Sequence, residues 1–185
     1  MTATTLVRQQ AGVWDVDTAH SGVEFVARYL MATKVRGHFD TWSATLTTGE
    51  TSEAAVEATI QAASINTGNE GRDAHLKGAD FFDVEKYPTL DFKSTAVSEL
   101  RGNEFTVTGD LSMHGVIKPV TLNVEFAGTM KDLYGNTRTT FSATTEIDRE
   151  QWGLNWNAAL ETGGVLVSKK IKLEFEVQFI QRKDA

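Results

Sequence analysis

IKLEFEVQFI, residues 171–180, decides the fold: Leu173, Phe175, Val177 and Phe179 fall on one side of the segment, and Lys172, Glu174, Glu176 and Gln178 on the other. Side chains repeat every two residues only in an extended chain, so this is a β-strand with one face buried and one in water. The same period returns through Val23, Phe25, Ala27 and Tyr29, then through Val56, Ala58, Ile60 and Ala62. It continues at Leu90, Phe92, Ser94 and Ala96, at Phe105, Val107, Gly109, Leu111 and Met113, at Val120, Leu122, Val124 and Phe126, and at Phe141, Ala143, Thr145 and Ile147.

Val13–Val16 opens the ordered part, and Arg36–Thr48 adds a long extended stretch in which Gly37 reads as a bend or bulge. The connections are Leu30–Val35 and a wider hairpin loop over His114–Pro119, and the closing strand runs from about Leu166 to Ile180. One segment breaks the pattern. Arg72–Phe82 reads as a short helix or pair of turns that Asn69 or Glu70 could start, weakened by Gly71 and Gly78, and Tyr87-Pro88 ends it. Asp148–Gly164 carries Trp152, Leu154, Trp156 and Leu160, too apolar for an idle surface loop, and is expected to cap one end.

About eight antiparallel strands with one helical excursion give an all-β chain. An up-and-down barrel is the economical arrangement, because closure leaves no exposed strand edge. No Pro-, Gly- or Ser-rich linker and no internal repeat divides the chain, so residues 13–182 are read as a single domain behind a flexible tail of residues 1–12.

Composition narrows the function. The chain is 41% hydrophobic and 23% charged, the profile of a globular protein. Its net charge is −7 and its basic residues are scattered, so no stripe is present to neutralise a nucleic-acid backbone. The absence of cysteine removes disulfides, thiolate nucleophiles and Cys-ligated metal sites. Met1–Gly12 lacks a basic start followed by an apolar run, so cytoplasmic residence is expected. No stretch has the length and apolarity of a membrane span, although an apolar ligand could still come from a membrane.

Four histidines, His20, His38, His75 and His114, stand outside any HxH, HxxxH or HExxH spacing. The expectation is therefore no metal and no cofactor, with each ring bonding a carboxylate or carbonyl to fix a loop. Arg72, Asp73 and His75, with Asp80 and Asp83 nearby, could do acid–base work; the plainer expectation is an Arg72–Asp73 pair anchoring the helix to the barrel. There is no GxSxG elbow and no glycine-rich phosphate loop, so no catalytic residue is assigned.

An eight-stranded barrel either fills itself with side chains or holds one small ligand. Here small residues recur at inward-type positions: Ala27, Ala58, Ala62, Ser94, Ala96, Gly109, Ala143 and Thr145. A ligand pocket of roughly 300–1,000 Å³ needs only a handful of such omissions.

The stretches WDVDTAHSGVEFVARYL (14–30), KVRGHF (34–39), ASINTGNEGRDAHLKGADFFDVEKYPTLDF (63–92), GDLSMHGVIKPVTL (109–122) and DREQWGLNW (148–156) together resemble the YceI-like proteins. RDxHL, DFFD followed by YP, and HGVxKPV are specific in combination, and the resemblance covers Trp14 to about Leu173. It implies a lipocalin-like, extended eight-stranded antiparallel barrel whose elongated cavity binds, stores or transports a polyisoprenoid, an isoprenoid quinone-like lipid or a similar long-chain amphiphile, with no reaction catalysed. Many relatives carry a secretion signal, and Lys169-Lys170 stands where relatives often have an acidic residue.

On that reading His20, Arg72, Asp73, His75, Asp83, Pro88, His114 and Arg149 hold the loops and the mouth. Phe25, Phe39, Leu76, Phe81, Phe92, Leu111, Phe126, Phe141, Trp152 and Trp156 are the expected ligand-binding residues, with any polar head near the mouth. The alternatives are an enzyme acting on an isoprenoid or small acidic substrate, and a barrel packed solid for a structural or interaction role. A homodimer through an exposed edge or apolar mouth would be compatible with either.

Overall fold

The computed structural model describes residues 11–49, 54–161 and 163–183. Within them run β1 (Gly12–Val16), β2 (Gly22–Tyr29), β3 (Thr33–Phe39), β4 (Trp42–Thr48), β5 (Ala54–Gln61), β6 (Ile65–Asn66) and helix α1 (Glu70–Lys77). β7 (Thr89–Val97), β8 (Glu104–Met113), β9 (Val116–Lys131), β10 (Thr137–Asp148) and β11 (Lys170–Gln181) follow. Residues 1–10 of the expected tail lie outside the described residues, and Gly12 already belongs to β1.

Hydrogen bonding closes the sheet in the order β1-β4-β5-β7-β8-β9-β10-β11 and back to β1, an eight-stranded antiparallel barrel. The outer edge of β11 is shared. Its end pairs with β1, Phe179 opposite Val16, and its middle pairs with β2, Phe175 opposite Val23. β1 and β2 are thus one passage of chain kinked by the 3-10 turn Thr18–His20, whose first N–H groups Asp17 caps by accepting from Ala19 N–H at 3.1 Å. β3 and β4 form a second kinked passage, broken at Asp40-Thr41, and β5 and β6 a third, broken at the 3-10 turn Ala62–Ser64. Beyond these kinks β2, β3 and β6 extend the wall away from the ring.

The second kink corrects one expectation. The extended stretch from Arg36 bends at Asp40, whereas Gly37 lies flat in β3 opposite Phe25. A Cβ at Gly37 would sit 2.3 Å from the Phe25 ring, so this glycine makes room for an aromatic side chain laid across the wall. Leu30–Val35 is likewise half strand: residues 30–32 turn and 33–35 already belong to β3, because Leu30 and Met31 take left-handed backbone angles and reverse the chain at once.

The hairpin at His114 is also tighter than expected. His114 and Gly115 both have positive φ, 53° and 75°, the signature of a two-residue turn whose twist matches its strands. β9 therefore starts at Val116. Pro119 is tolerated there because β10 pairs with β9 only from Asn123 onward, so its missing N–H costs no bond on that side. β11 begins at Lys170, since residues 166–169 leave β10 and run beside the end of β2, with Leu30 N–H donating to Leu166 O at 2.9 Å and Ser168 N–H to Arg28 O at 2.9 Å.

Helix α1 starts where one of the two expected residues put it. The Asn69 carboxamide oxygen accepts from Arg72 N–H at 2.9 Å, and Gly78 ends the helix. Arg72 and Asp73 do not pair with each other. Both grip Thr67: Arg72 Nε donates to its hydroxyl at 2.7 Å and Arg72 Nη2 to its carbonyl at 2.9 Å, while Asp73 accepts from its N–H at 3.0 Å and its hydroxyl at 2.5 Å. The threonine between helix and β6 is the anchor, because its hydroxyl and main chain together accept from Arg72 and donate to Asp73. Among the described residues no helix is long and apolar enough to cross a membrane.

Candidate ligand cavity

The inward faces of the strands do not meet. They enclose a cavity of about 350 Å³ that runs the length of the barrel, from Thr48, Val97 and Thr129 at one end to Leu76, Phe81 and Leu154 at the other. Phe92, Phe141, Leu173 and Phe175 point inward yet are only partly buried, because the surface they retain faces the hollow. Small side chains make the space: Ala27, Ala58 and Ala143 stand on the wall. Ala62 is fully buried away from it, Ala96 is exposed after the bulge between Ser94 and Ala96, and Ser94 accepts from Val56 N–H at 2.9 Å. Thr145 is half-buried in β10 and off the cavity wall. Gly109 lets the Phe92 ring lie across β8, since a Cβ there would come within 2.4 Å of it.

One end is roofed. α1, the turns that follow it and the segment after β10 fold over it, and Trp152, 1% exposed, fastens that segment by donating its indole N–H to Leu111 O at 3.0 Å. The His114 ring bonds Trp152 O at 3.0 Å and packs on Tyr87, which ties the β8–β9 hairpin to the same roof. At the opposite end Ala55, Val97 and Thr129 are both lining and exposed, so among the described residues the cavity reaches solvent beside the start of β5 and the ends of β7 and β9.

Eight of the ten expected lining residues stand on the cavity wall: Phe25, Phe39, Leu76, Phe81, Phe92, Leu111, Phe126 and Phe141. Trp152 and Trp156 stand behind it. Trp156 packs edge-on to His75 with centroids 4.7 Å apart and tilts against Phe81 at 5.3 Å, so both tryptophans support the roof. The expectation missed the β11 wall, Leu173, Phe175, Val177 and Phe179, although its alternation was the plainest signal in the chain.

The histidines hold loops: His20 bonds Asp17 at 2.8 Å, His38 bonds Asp40 at 2.9 Å and His75 bonds Asp80 at 2.9 Å. With side chains 42% and 53% exposed, His75 and Asp80 sit in water outside the cavity. Asp83 turns the chain in a left-handed conformation, its carbonyl accepting from Tyr87 N–H at 2.8 Å, and Pro88 O accepts from Ala62 N–H at 2.9 Å.

Almost everything on the cavity wall is hydrocarbon. Thr48, Thr129 and Thr139 are polar at the open end, and the Thr129 hydroxyl donates to that of Thr139 at 3.1 Å. Glu24 borders the cavity but is exposed. Arg149, 4% exposed, is the buried charge on the wall, under the roof. Its Nε donates to Ser168 O at 3.0 Å, its Nη1 to Leu154 O, and its guanidinium lies 5.8 Å from the Phe81 ring centre. Burial pushes its pKa down, against the pull of the neighbouring Glu150 and Asp148 charges.

The family model described as the YceI-like domain matches residues 14–179. A UPF0312 protein of Staphylococcus aureus (strain USA300) is 40% identical over 166 residues, covering 88% of this chain and 94% of its own. The crystal structure of BcnA from Burkholderia cenocepacia superposes with a TM-score of 0.77 at 26% identity, over 88% of this chain and 98% of that one. A polyisoprenoid binding domain from Saccharophagus degradans shares the fold with a TM-score of 0.67 at 19% identity, over 94% of this chain and 100% of that one.

Proposed function

This chain belongs to the YceI-like domain family, and on that premise we propose that its barrel binds one long-chain amphiphile, a polyisoprenoid or an isoprenoid quinone-like lipid, as a storage or transport protein rather than an enzyme. The observation that carries the reading is the lengthwise cavity, hydrocarbon-walled except for a few groups and open at one end. A strand of about 12 residues at roughly 3.3 Å per residue, tilted by roughly 40°, spans roughly 30 Å along the axis, a length that suits a linear tail better than a compact metabolite. Each 100 Å² of tail taken from water contributes about 2.5 kcal/mol, from which the ordering of a flexible chain is subtracted. The name of the Saccharophagus neighbour as a polyisoprenoid binding domain points the same way.

Catalysis finds less support. Its residues would need a water-excluded cleft, and the His75–Asp80 pair is exposed while His114 is spent on the roof. The test is equilibrium binding of a long prenol to protein stripped of lipid, read by tryptophan fluorescence, beside Ala58→Trp and Ala143→Trp, which fill the hollow from opposite walls. Saturable binding to the wild type and its loss in variants that keep the β spectrum is the expected result. Equal binding by the filled variants, or none by the wild type, overturns the reading.

A further inference from the structure

We infer that Arg149 is the receptor for the ligand's polar head and that this head is an anionic oxygen group, carboxylate or phosphate, drawn in beneath the roof instead of left at the open end. The inference rests on the reading of the cavity as a lipid site. Arg149 is buried on the cavity wall, and its Nη2 has no hydrogen-bond partner. Its other bonds go to neutral carbonyls, Ser168 O and Leu154 O, which satisfy N–H groups without offsetting the charge.

The nearest carboxylates in sequence are used elsewhere: Asp148 accepts from Glu150 N–H at 3.1 Å, and Glu150 pairs with Lys169 at 2.8 Å. Among the described residues no carboxylate forms a salt bridge with Arg149. A guanidinium only donates, remains charged at any ordinary pH, and is costly to bury unpaired. Here the charged residue is one of those lining an apolar hollow, and one arm of its fork is fully buried with no hydrogen-bond partner, an arrangement that an anionic oxygen head completes by drawing that arm toward the hollow. A neutral carbonyl or hydroxyl would fill the idle arm but leave the charge to the field of Glu150 and Asp148 alone, neither of which bonds it.

The experiment uses the full chain, stripped of lipid, and three probes of one isoprenoid chain length: geranylgeraniol, geranylgeranyl phosphate and phytanic acid. Wild-type protein is expected to bind at least one anionic probe roughly tenfold or more tighter than the alcohol, and which anion it favours separates a phosphate head from a carboxylate. Arg149→Met is expected to erase the preference while keeping the alcohol, and Arg149→Lys, charged but without a fork, to keep part of it. Equal affinity for all three probes in the wild type, or an undiminished preference in Arg149→Met, overturns the inference and leaves the lipid reading intact. Failure to bind any of the three probes strikes the lipid reading itself. If Arg149→Met does not fold, the ³¹P resonance of geranylgeranyl phosphate bound to the wild type decides, shifted from its free position if the head meets the guanidinium and unshifted if it stays in water.

Discussion

At the scale of single residues, two glycines that look alike in the sequence do opposite things. A Cβ at Gly109 would meet the Phe92 ring at 2.4 Å and the Lys93 carbonyl at 2.6 Å, and a backbone oxygen in a ladder cannot step aside. Gly109→Ala is expected to cost about 1–3 kcal/mol of unfolding free energy in urea titrations. Gly71, in the first turn of α1, has only Asn69 Oδ1 near its missing Cβ, at 3.6 Å, and Gly71→Ala is expected to add about 0.4–1 kcal/mol. Glycine in a strand announces that something special happens, but not whether the chain bends or a ring crosses it, which is why Gly37 read as a corner. Arg138 makes a second residue-scale case: its guanidinium binds Asp17, Asp132 and the Gln178 carboxamide oxygen, and its bonds hold both carboxyls below the usual Asp range. Both groups bind protons less readily folded than unfolded, so their stabilisation is complete above the unfolded Asp pKa of about 4 and is lost as pH falls below it. The urea midpoint is expected to drop between pH 6 and pH 3, and less steeply in Arg138→Met; parallel slopes would remove the cluster from the acid response.

At the scale of elements, the alternating patterns identified most of the residues that face inward, failing at Ala62, Ala96 and Thr145, and three passages are broken by kinks that alternation does not register. The pairing β2–β3 and the pairing β1–β4 differ in register, with Glu24 opposite His38 but Asp15 opposite Thr45, a shift of two residues. A two-residue slip returns every side chain to its original face, so the pattern passes through it unmarked. Helix α1 was legible for a different reason: Asn69 is a cap by chemistry, whereas the helix's apolar content is little more than Leu76. Its stability therefore rests on its ends. Asn69→Ala is expected to cost about 1 kcal/mol and to speed amide exchange first at Arg72, whose N–H the Asn69 side chain accepts. If exchange at Arg72 is unchanged while strand amides speed up, the cap is not what holds the helix.

At the scale of the molecule, closure and hollowness come from one property of the sequence. The inward faces carry enough large residues to line a wall and enough small ones, Ala58 and Ala143 among them, that the walls do not meet. The alternation alone left core and container undecided, because facing inward is the same statement in both; only the assembled diameter separates them. The wall at β11 and the burial of Arg149 on the cavity wall escaped the sequence reading, the first through emphasis on rings over position, the second because a buried charge cannot be told from a surface one until its neighbours are known. Native mass spectrometry of the protein purified from cells without detergent tests the central claim most directly. The account predicts a one-to-one adduct with the mass of a long isoprenoid lipid, which organic extraction removes. A bare protein mass, with nothing extractable and no uptake when isoprenoid lipids are supplied, would contradict it.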